Sequence, residues 1–213
     1  MVSQGWDRLL DVGRATAFRR GQYLIMAGST SEDVLLIEQG VVKAVLVARD
    51  GAESVAGFLG AGDLVGEIGV MSGQPRSAHI VALTSGRAIR VSSREFLRMR
   101  SEHRDVLRLV DEVWHRRQRQ SDERQLALTR DVTSRLAMSL LRWARDLGEP
   151  TPGGLLMRGI SQRDTAQAIA ASEKSVEAAL RVLRSAGMVK TWRLTYLIPA
   201  PALLEARIDR SGW

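Results

Sequence analysis

Residues 95–147 contain neither glycine nor proline, and they are rich in Arg, Leu, Glu and Gln. Such a stretch has no local reason to leave the helical region of backbone space. It is too long for one ordinary globular helix. The sequence therefore predicts a short helix near 93–99, a long one near 102–128 and a third over about 129–147, ending at Gly148-Glu149-Pro150. Along the long helix Val106, Val110, Val113, Arg117, Gln120, Arg124 and Ala127 recur at alternating intervals of four and three, the spacing of a two-stranded coiled-coil seam. The seam is apolar in its first half only. In a parallel pair Arg117, Gln120 and Arg124 would each face their own copies, and facing arginines repel. A second reading of the same spacing is a helix lying on its own domain through Val106, Leu109, Val113 and Trp114.

The chain before this block has a different texture. Short β-branched runs are separated by glycines: residues 23–26, 34–37, 41–47, 55–59, 80–83 and 88–91 read as strands, with Gln39-Gly40 and Asp50-Gly51 as hairpin turns. Many short strands at this spacing argue for a small barrel or sandwich. After the block, Thr151-Pro152-Gly153-Gly154 is a turn, and Leu155-Leu156-Met157 is a candidate strand. Ser161 is placed to cap one helix with Asp164 in its first turn, and Ser172 to cap a second helix ending near Ala186, with Gly187 after it. Residues 189–192 and 195–198 form a β-wing around Arg193-Leu194, closed by Pro199 and Pro201.

Composition narrows the chemistry. The 213 residues can bury a core and fit one or two domains. There is no cysteine, which removes disulfides, cysteine-held iron–sulfur clusters and thiolate haem ligation. His79, His103 and His115 show no metal spacing, so no metal, haem or cluster is expected. No apolar run approaches about 18 residues and Met1 to Leu10 lacks the apolar core of a signal peptide, so the expectation is a cytoplasmic protein without membrane segments. The net charge of +7 lies mostly in residues 126–213, with 13 Lys/Arg against 8 Asp/Glu. A basic C-terminal part permits a polyanionic partner.

Two stretches carry candidate sites. In residues 64–78, LVGEIGVMSGQPRSA, a Gly-Glu pair precedes Arg-Ser-Ala with small and turn-forming residues between. This arrangement can hold a cyclic phosphate: amides near Gly66 and Ser77 approach an anion closely, Arg76 offers a charged fork, and Glu67 can accept from a ribose hydroxyl. In residues 160–183, ISQRDTAQAIAASEKSVEAALRVL, Ile169, Val176, Leu180 and Leu183 read as the shared core of two helices, and Ala166 and Ala170 as small residues where they cross. The start of the second helix would enter a DNA major groove with Glu173, Lys174, Ser175, Glu177 and Ala178, and Arg181 a turn later. Ser161, Gln162, Arg163, Lys190, Thr191 and Arg193 are candidates for backbone contacts, which position without specifying, and Ser172 at the start of the second helix is counted with the DNA-binding residues. The competing reading is a helical hairpin that binds protein, or nothing. An enzyme is not indicated, since Ser77 and His79 lack a carboxylate partner and no nucleophile elbow is present.

The 64–78 stretch closely resembles the phosphate-binding cassette of cyclic-nucleotide-binding domains. The two signals in this order, joined by a long helix, resemble the cyclic-AMP receptor protein/fumarate-nitrate regulator (CRP/FNR) family of bacterial transcription regulators over about residues 15–200. Leu128-Thr129-Arg130-Asp131-Val132-Thr133-Ser134-Arg135-Leu136-Ala137 matches the hinge run common in that family. The resemblance implies an α+β chain: a sensor jelly roll over 1–100, a dimerisation helix over 101–128 and a winged helix-turn-helix over 129–213. It implies a cyclic nucleotide, cyclic AMP first, as effector, with double-stranded DNA, a second copy of the chain and RNA polymerase as partners. It places Gly66, Ile68 and Ala78 at backbone contacts and Gln120 and Ser121 where the family reads the purine base, one from each subunit. It places Arg116 where an arginine reaches towards the cassette glutamate. Gln120 replaces the family's usual threonine. Glu173, Lys174 and Ala178 replace its Arg-Glu-x-x-x-Arg face, so a different operator is expected.

These readings combine into one expected gate. Arg117 and Arg124 would destabilise the lower half of the coil, and a bound anionic nucleotide would offset them and rotate the C-terminal domains about residues 128–131. A regulator of the same fold that needs no effector or takes another ligand is an alternative. So is a nucleotide sensor that binds protein instead of DNA.

Overall fold

The computed structural model describes residues 4–48 and 50–210, the side chains of 209 and 210 excepted; Met1 to Ser3, part of the segment read for a leader, lie outside the described residues. The chain forms two compact units, Met1–Gln120 and Ser121–Trp213. The first unit thus takes in most of the long helix, which the resemblance alone sets apart as its own segment.

In the first unit a helix α1 (Gln4–Val12) precedes strands β1 (Arg14–Phe18), β2 (Tyr23–Ile25), β3 (Asp33–Gln39), β4 (Val42–Val47), β5 (Glu53–Leu59) and β6 (Leu64–Val65). A short helix α2 (Glu67–Ser72), β7 (Ala78–Ala82), β8 (Gly86–Ser92) and helix α3 (Ser93–Glu102) follow, and then α4 (Arg104–Ala127). The strands make two antiparallel sheets in the orders β1-β8-β3-β6 and β2-β7-β4-β5, an eight-stranded jelly roll. Strand β3 shows how it is held. Leu35 and Ile37 face the other sheet, in a core with Phe18, Ile25, Val42, Val65 and Ile80. Val34 and Leu36 point the opposite way, into a second core with Trp6 and Leu9 of α1, Phe96 and Met99 of α3, and Val106, Leu109, Val110 and Val113 of α4. Period-two alternation sends successive side chains to opposite faces. Both faces of β3 are covered, so its sequence is a continuous apolar run.

This second core corrects the predicted coiled-coil seam. Val106 and Val110 are 0% exposed and Val113 2% within the single chain. Each such side chain contributes about 1.5–3 kcal/mol by staying buried. The seam face of α4 therefore packs on its own domain. Helix α1 and strands β1 and β6 were not predicted. The signal for α1 was present in Trp6, Leu9 and Leu10, spaced three and one apart on a helical face.

The second unit contains α5 (Val132–Leu147), β9 (Glu149–Thr151), β10 (Gly154–Arg158), α6 (Gln162–Ala168), α7 (Glu173–Ser185), β11 (Lys190–Trp192), β12 (Thr195–Ile198) and α8 (Pro201–Arg210). The four strands form one antiparallel sheet in the order β11-β12-β10-β9, so the wing is continuous with the hairpin that precedes α6. Helix α5 starts at residue 132 and not 129, because the Asp131 carboxylate accepts from the amides of Thr133, at 2.8 Å, and Ser134, at 3.1 Å. Helix α8 was not predicted; proline at its first position and Leu204 and Ile208, both buried, one turn apart are its signature. Among the described residues no helix is long and apolar enough to cross a membrane.

Candidate functional site

The 64–78 stretch folds as a strand, a one-residue left-handed turn, a short helix and a return loop. Gly66 sits at φ 89°, and a Cβ there would lie 2.5 Å from Arg76 Nη1 and 3.0 Å from the Ile25 side chain. Only glycine meets both demands. Gly69 is equally constrained, since its Cβ would fall 2.1 Å from Ser31 Oγ. The loop is tied down by main-chain bonds: Arg76 N donates to Ser29 O at 2.9 Å, and Gly28 N donates to Arg76 O at 2.8 Å.

Glu67 opens α2 and is 1% exposed. A buried carboxylate needs a cationic or hydrogen-bonding partner. That partner is Arg117 of α4, whose Nη1 donates to Glu67 Oε1 and whose Nη2 donates to the carbonyl of Leu64. Two expectations change here. Arg117 does not face a symmetry copy; it bonds the cassette of its own domain. Arg116, expected to approach the glutamate, pairs with Asp63 instead. One residue along a helix is about 100° of rotation, and that sends the two arginines to different acceptors.

Arg76 also departs from its expected posture. Its side chain is 4% exposed, Nη1 donates to Gly66 O at 2.6 Å, and Nη2 donates to Asp33 O at 2.5 Å and Asp33 Oδ1 at 2.8 Å. The other oxygen of Asp33 accepts from Arg90. Burial pushes the Arg76 pKa below its ordinary value, Asp33 opposes that shift, and Arg90 adds to it. Ser77 is exposed beside this arginine and Ala78 half-buried, while Ile68 on α2 is 47% exposed. Gln120 is half-buried and Ser121 exposed, on successive positions of α4. Asp33 and Arg90 were not picked out from the sequence, and Asp63 only as part of the glycine pattern of the jelly roll. Nothing in the linear order joins Asp33 to Arg76, 43 residues later.

In the second unit, α6 and α7 are joined by a tight turn. Ser161 and Asp164 form a reciprocal capping box at the start of α6. Ile169 closes α6, Ala170 takes a left-handed conformation at φ 51°, and Ser172 caps α7 by accepting from Ser175 N at 3.0 Å. Ile169, Val176, Leu180 and Leu183 are buried, as is Ala166, whereas Ala170 is exposed in the turn and does not mediate a helix crossing. Thr165 and Tyr196 share a 3.0 Å hydrogen bond that ties α6 to β12, and burial raises the Tyr196 pKa.

Glu173, Lys174, Ala178 and Arg181 are exposed on α7, with Arg163 on α6 and Lys190 and Arg193 on the wing. Glu177 is differently placed. Gln162 Nε2 donates to it at 2.9 Å and Arg184 Nη2 at 2.7 Å. Arg184 first, and then Gln162, hold the Glu177 carboxyl below its ordinary pKa. Gln162 and Glu177, both expected to point at DNA, are thus bonded to each other, and Arg184 offsets the charge that would repel phosphate. Arg184 Nη1 also donates to Thr191 Oγ1 at 3.0 Å, linking α7 to the wing strand.

Residues 15–103 match the family model of the cyclic nucleotide-binding domain, and residues 134–207 that of the Crp-like helix-turn-helix domain. A jelly roll with this cassette, followed by a winged helix-turn-helix, defines a transcription regulator with a cyclic nucleotide-binding and a DNA-binding domain. The chain belongs to the CRP/FNR family. It is 28% identical to the cAMP-activated global transcriptional regulator CRP of Salmonella typhimurium, over 82% of this chain and 84% of that one. It is 26% identical to the CRP-like cAMP-activated global transcriptional regulator of Mycobacterium tuberculosis, over 89% and 86%. The structure of FixK2 from Bradyrhizobium japonicum superposes with a TM-score of 0.77 at 19% identity, covering 92% of this chain and 96% of that one, a likeness of fold.

Proposed function

We propose that the protein is a homodimeric regulator whose binding to a pseudo-palindromic DNA site is gated by a cyclic nucleotide, cyclic AMP first. The observation that carries this reading is the bond from Arg117 to the 1%-exposed Glu67, which joins the cassette directly to the long helix. In this reading the nucleotide's ribose hydroxyl takes the carboxylate edge that Arg117 holds, and its phosphate takes Arg76 and the amides near Ser77. Gly66, Ile68 and Ala78 line the phosphate with main chain, while Arg116 stays with Asp63. Gln120 lies one turn beyond Arg117, so a change at Glu67 is felt at once by the residue placed to read the base. An amide both donates and accepts, and so suits adenine or guanine.

The dimer uses the other face of α4 and the residue that follows it. Leu107, Asp111, Trp114, Gln118, Ser121, Gln125 and Leu128 recur at intervals of four and three, and every one is exposed in the single chain. This second seam has the coiled-coil spacing that the buried one also shows. It puts Ser121 at the partner and Gln120 on the inward side, which supports a base read by one residue from each subunit. On DNA, Lys174 and Arg181 reach bases or phosphates from α7. Ser161, Arg163, Ser172, Ser175, Lys190 and Arg193 position the domain, and Glu173 accepts from cytosine. RNA polymerase is the expected further partner, in the cytoplasm, and no catalytic step is assigned.

The test is calorimetric titration of nucleotide-free protein with cyclic AMP and, separately, cyclic GMP. One site per chain with micromolar affinity supports the reading, and the preferred base reports what Gln120 reads. Absence of heat with both, from folded protein, refutes a cyclic-nucleotide effector.

A further inference from the structure

The guanidinium expected to hold the phosphate already holds a carboxylate. Arg76 can grip an anion bidentately in two ways, side-on through Nε and Nη2 or end-on through Nη1 and Nη2. Nη2 belongs to both forks. In this structure Nη2 donates at 2.5 Å to Asp33 O and at 2.8 Å to Asp33 Oδ1, so both of its protons are spent on one residue. Nη1 gives one further proton to Gly66 O at 2.6 Å. The arginine side chain is 4% exposed and that of Asp33 15%, so water does little to weaken the pair. Neither fork is open to a phosphate while Asp33 stays where it is.

We propose that Asp33 is a resident carboxylate that competes with the nucleotide's cyclic phosphate for Arg76 and thereby sets the effector affinity of this sensor. The proposal rests on the cyclic-nucleotide reading above and adds to it a residue outside the cassette. Phosphate entry exchanges one anion for another on Nη2. Asp33 is not stranded by the exchange, because its second carboxylate oxygen is bonded to Arg90, whose side chain is 43% exposed. Arg90 thus holds the displaced carboxylate as its donor and lowers the cost of release. The remaining acidic neighbours are differently engaged: Glu67 is bonded by Arg117, and Glu32 accepts from Thr30 Oγ1 at 3.1 Å. The affinity of the site is then a difference between two anions at Arg76, and a higher nucleotide concentration is needed to occupy it than a cassette with an uncommitted arginine would require.

The experiment measures cyclic AMP and cyclic GMP binding by calorimetry on the full chain and on three variants, each checked for fold by circular dichroism. Asp33→Asn keeps the shape and an acceptor but removes the charge, and should bind about tenfold tighter, the scale of one charge-assisted hydrogen bond. Glu32→Gln removes an equal charge one residue away without touching Arg76, and should stay within about twofold of wild type; general electrostatics alone would treat the two acids alike. Arg90→Gln leaves Asp33 with Arg76 as its remaining cation and should bind several-fold weaker, which decides the matter alone if Asp33→Asn does not fold. Unchanged or weaker binding by Asp33→Asn, or equal gains in Asp33→Asn and Glu32→Gln, overturns the proposal while leaving the nucleotide site in place. Tighter or unchanged binding by Arg90→Gln overturns it too. If the folded wild-type protein takes up neither nucleotide, the effector reading fails and the role of Asp33 falls with it.

Discussion

Replacing Arg117 by methionine removes a guanidinium that is 25% exposed from a glutamate that is 1% exposed. The methionine stem keeps most of the packing against α4's neighbours. What is lost is the cation, and Glu67 is left buried with its charge uncompensated. Removing one partner of a fully buried pair costs about 3–5 kcal/mol. Water reaches the arginine side of this pair, so about 2–3 kcal/mol is expected here, including the lost donor to the Leu64 carbonyl. That is a large part of the roughly 5–15 kcal/mol available to a domain. Glu67→Gln should cost less, about 1–2 kcal/mol, because the amide still accepts and the charge left without its partner is that of Arg117, which water reaches. The double variant should be more stable than the sum of the two losses implies, with a coupling of about 2 kcal/mol. The assay is urea unfolding of all four proteins, followed by far-UV circular dichroism under identical conditions. Additive losses, with coupling under about 0.5 kcal/mol, would refute the claim that this pair joins the cassette to α4.

Trp114→Glu, on the exposed face of α4 where Trp114 is 43% exposed, should convert a dimer to a folded monomer in sedimentation velocity, whereas Val110→Glu, at a 0%-exposed position, should lose the sensor fold. Ala170→Gly relieves a left-handed backbone at φ 51° and should stabilise the DNA-binding unit by about 1 kcal/mol in thermal unfolding; no gain would mean that the turn is not strained. Burial pushes the Asp131 carboxyl up, but the Ser134 hydroxyl and the Ser134 and Thr133 amides outweigh it and hold the pKa below its ordinary value. The native pKa lies below the unfolded value of about 3.9, so the stabilisation is complete above about pH 4 and is lost as pH falls through the native pKa. Asp131→Ala should therefore cost about 1 kcal/mol at pH 7, and its deficit against wild type should shrink in unfolding curves taken below about pH 4.

The fold was largely legible because its signals are local. Glycine-punctuated β-branched runs marked the strands, Ser161 and Ser172 marked the helix starts, and the glycine- and proline-free block marked the helices. What escaped was mostly a matter of phase and of distant pairing. Periodicity along α4 reveals a seam, but two seams of identical spacing run along this helix, one through Val110 and one through Trp114. Which of them meets the chain's own core depends on Trp6, Leu9 and Phe96 arriving from elsewhere. The exchange of Arg116 for Arg117 at the glutamate is the same problem at one-residue scale. The commitment of Arg76 to Asp33 and of Glu177 to Arg184 and Gln162 depends on which elements the fold brings together, and charge spacing in the sequence carries no trace of the first. Helix α8 is a plainer omission, since Pro201, Leu204 and Ile208 carried its pattern.

In the proposed function a cyclic nucleotide gates DNA binding. The most direct measurement is the affinity of the protein for a duplex selected from a random DNA pool, read by fluorescence anisotropy with and without saturating cyclic AMP at fixed salt. A gate working through Glu67 and Arg117 predicts tighter binding with the nucleotide, by about 5–150-fold for a coupling of 1–3 kcal/mol, and loss of that difference in Glu67→Gln. Equal DNA affinity with and without nucleotide would contradict it.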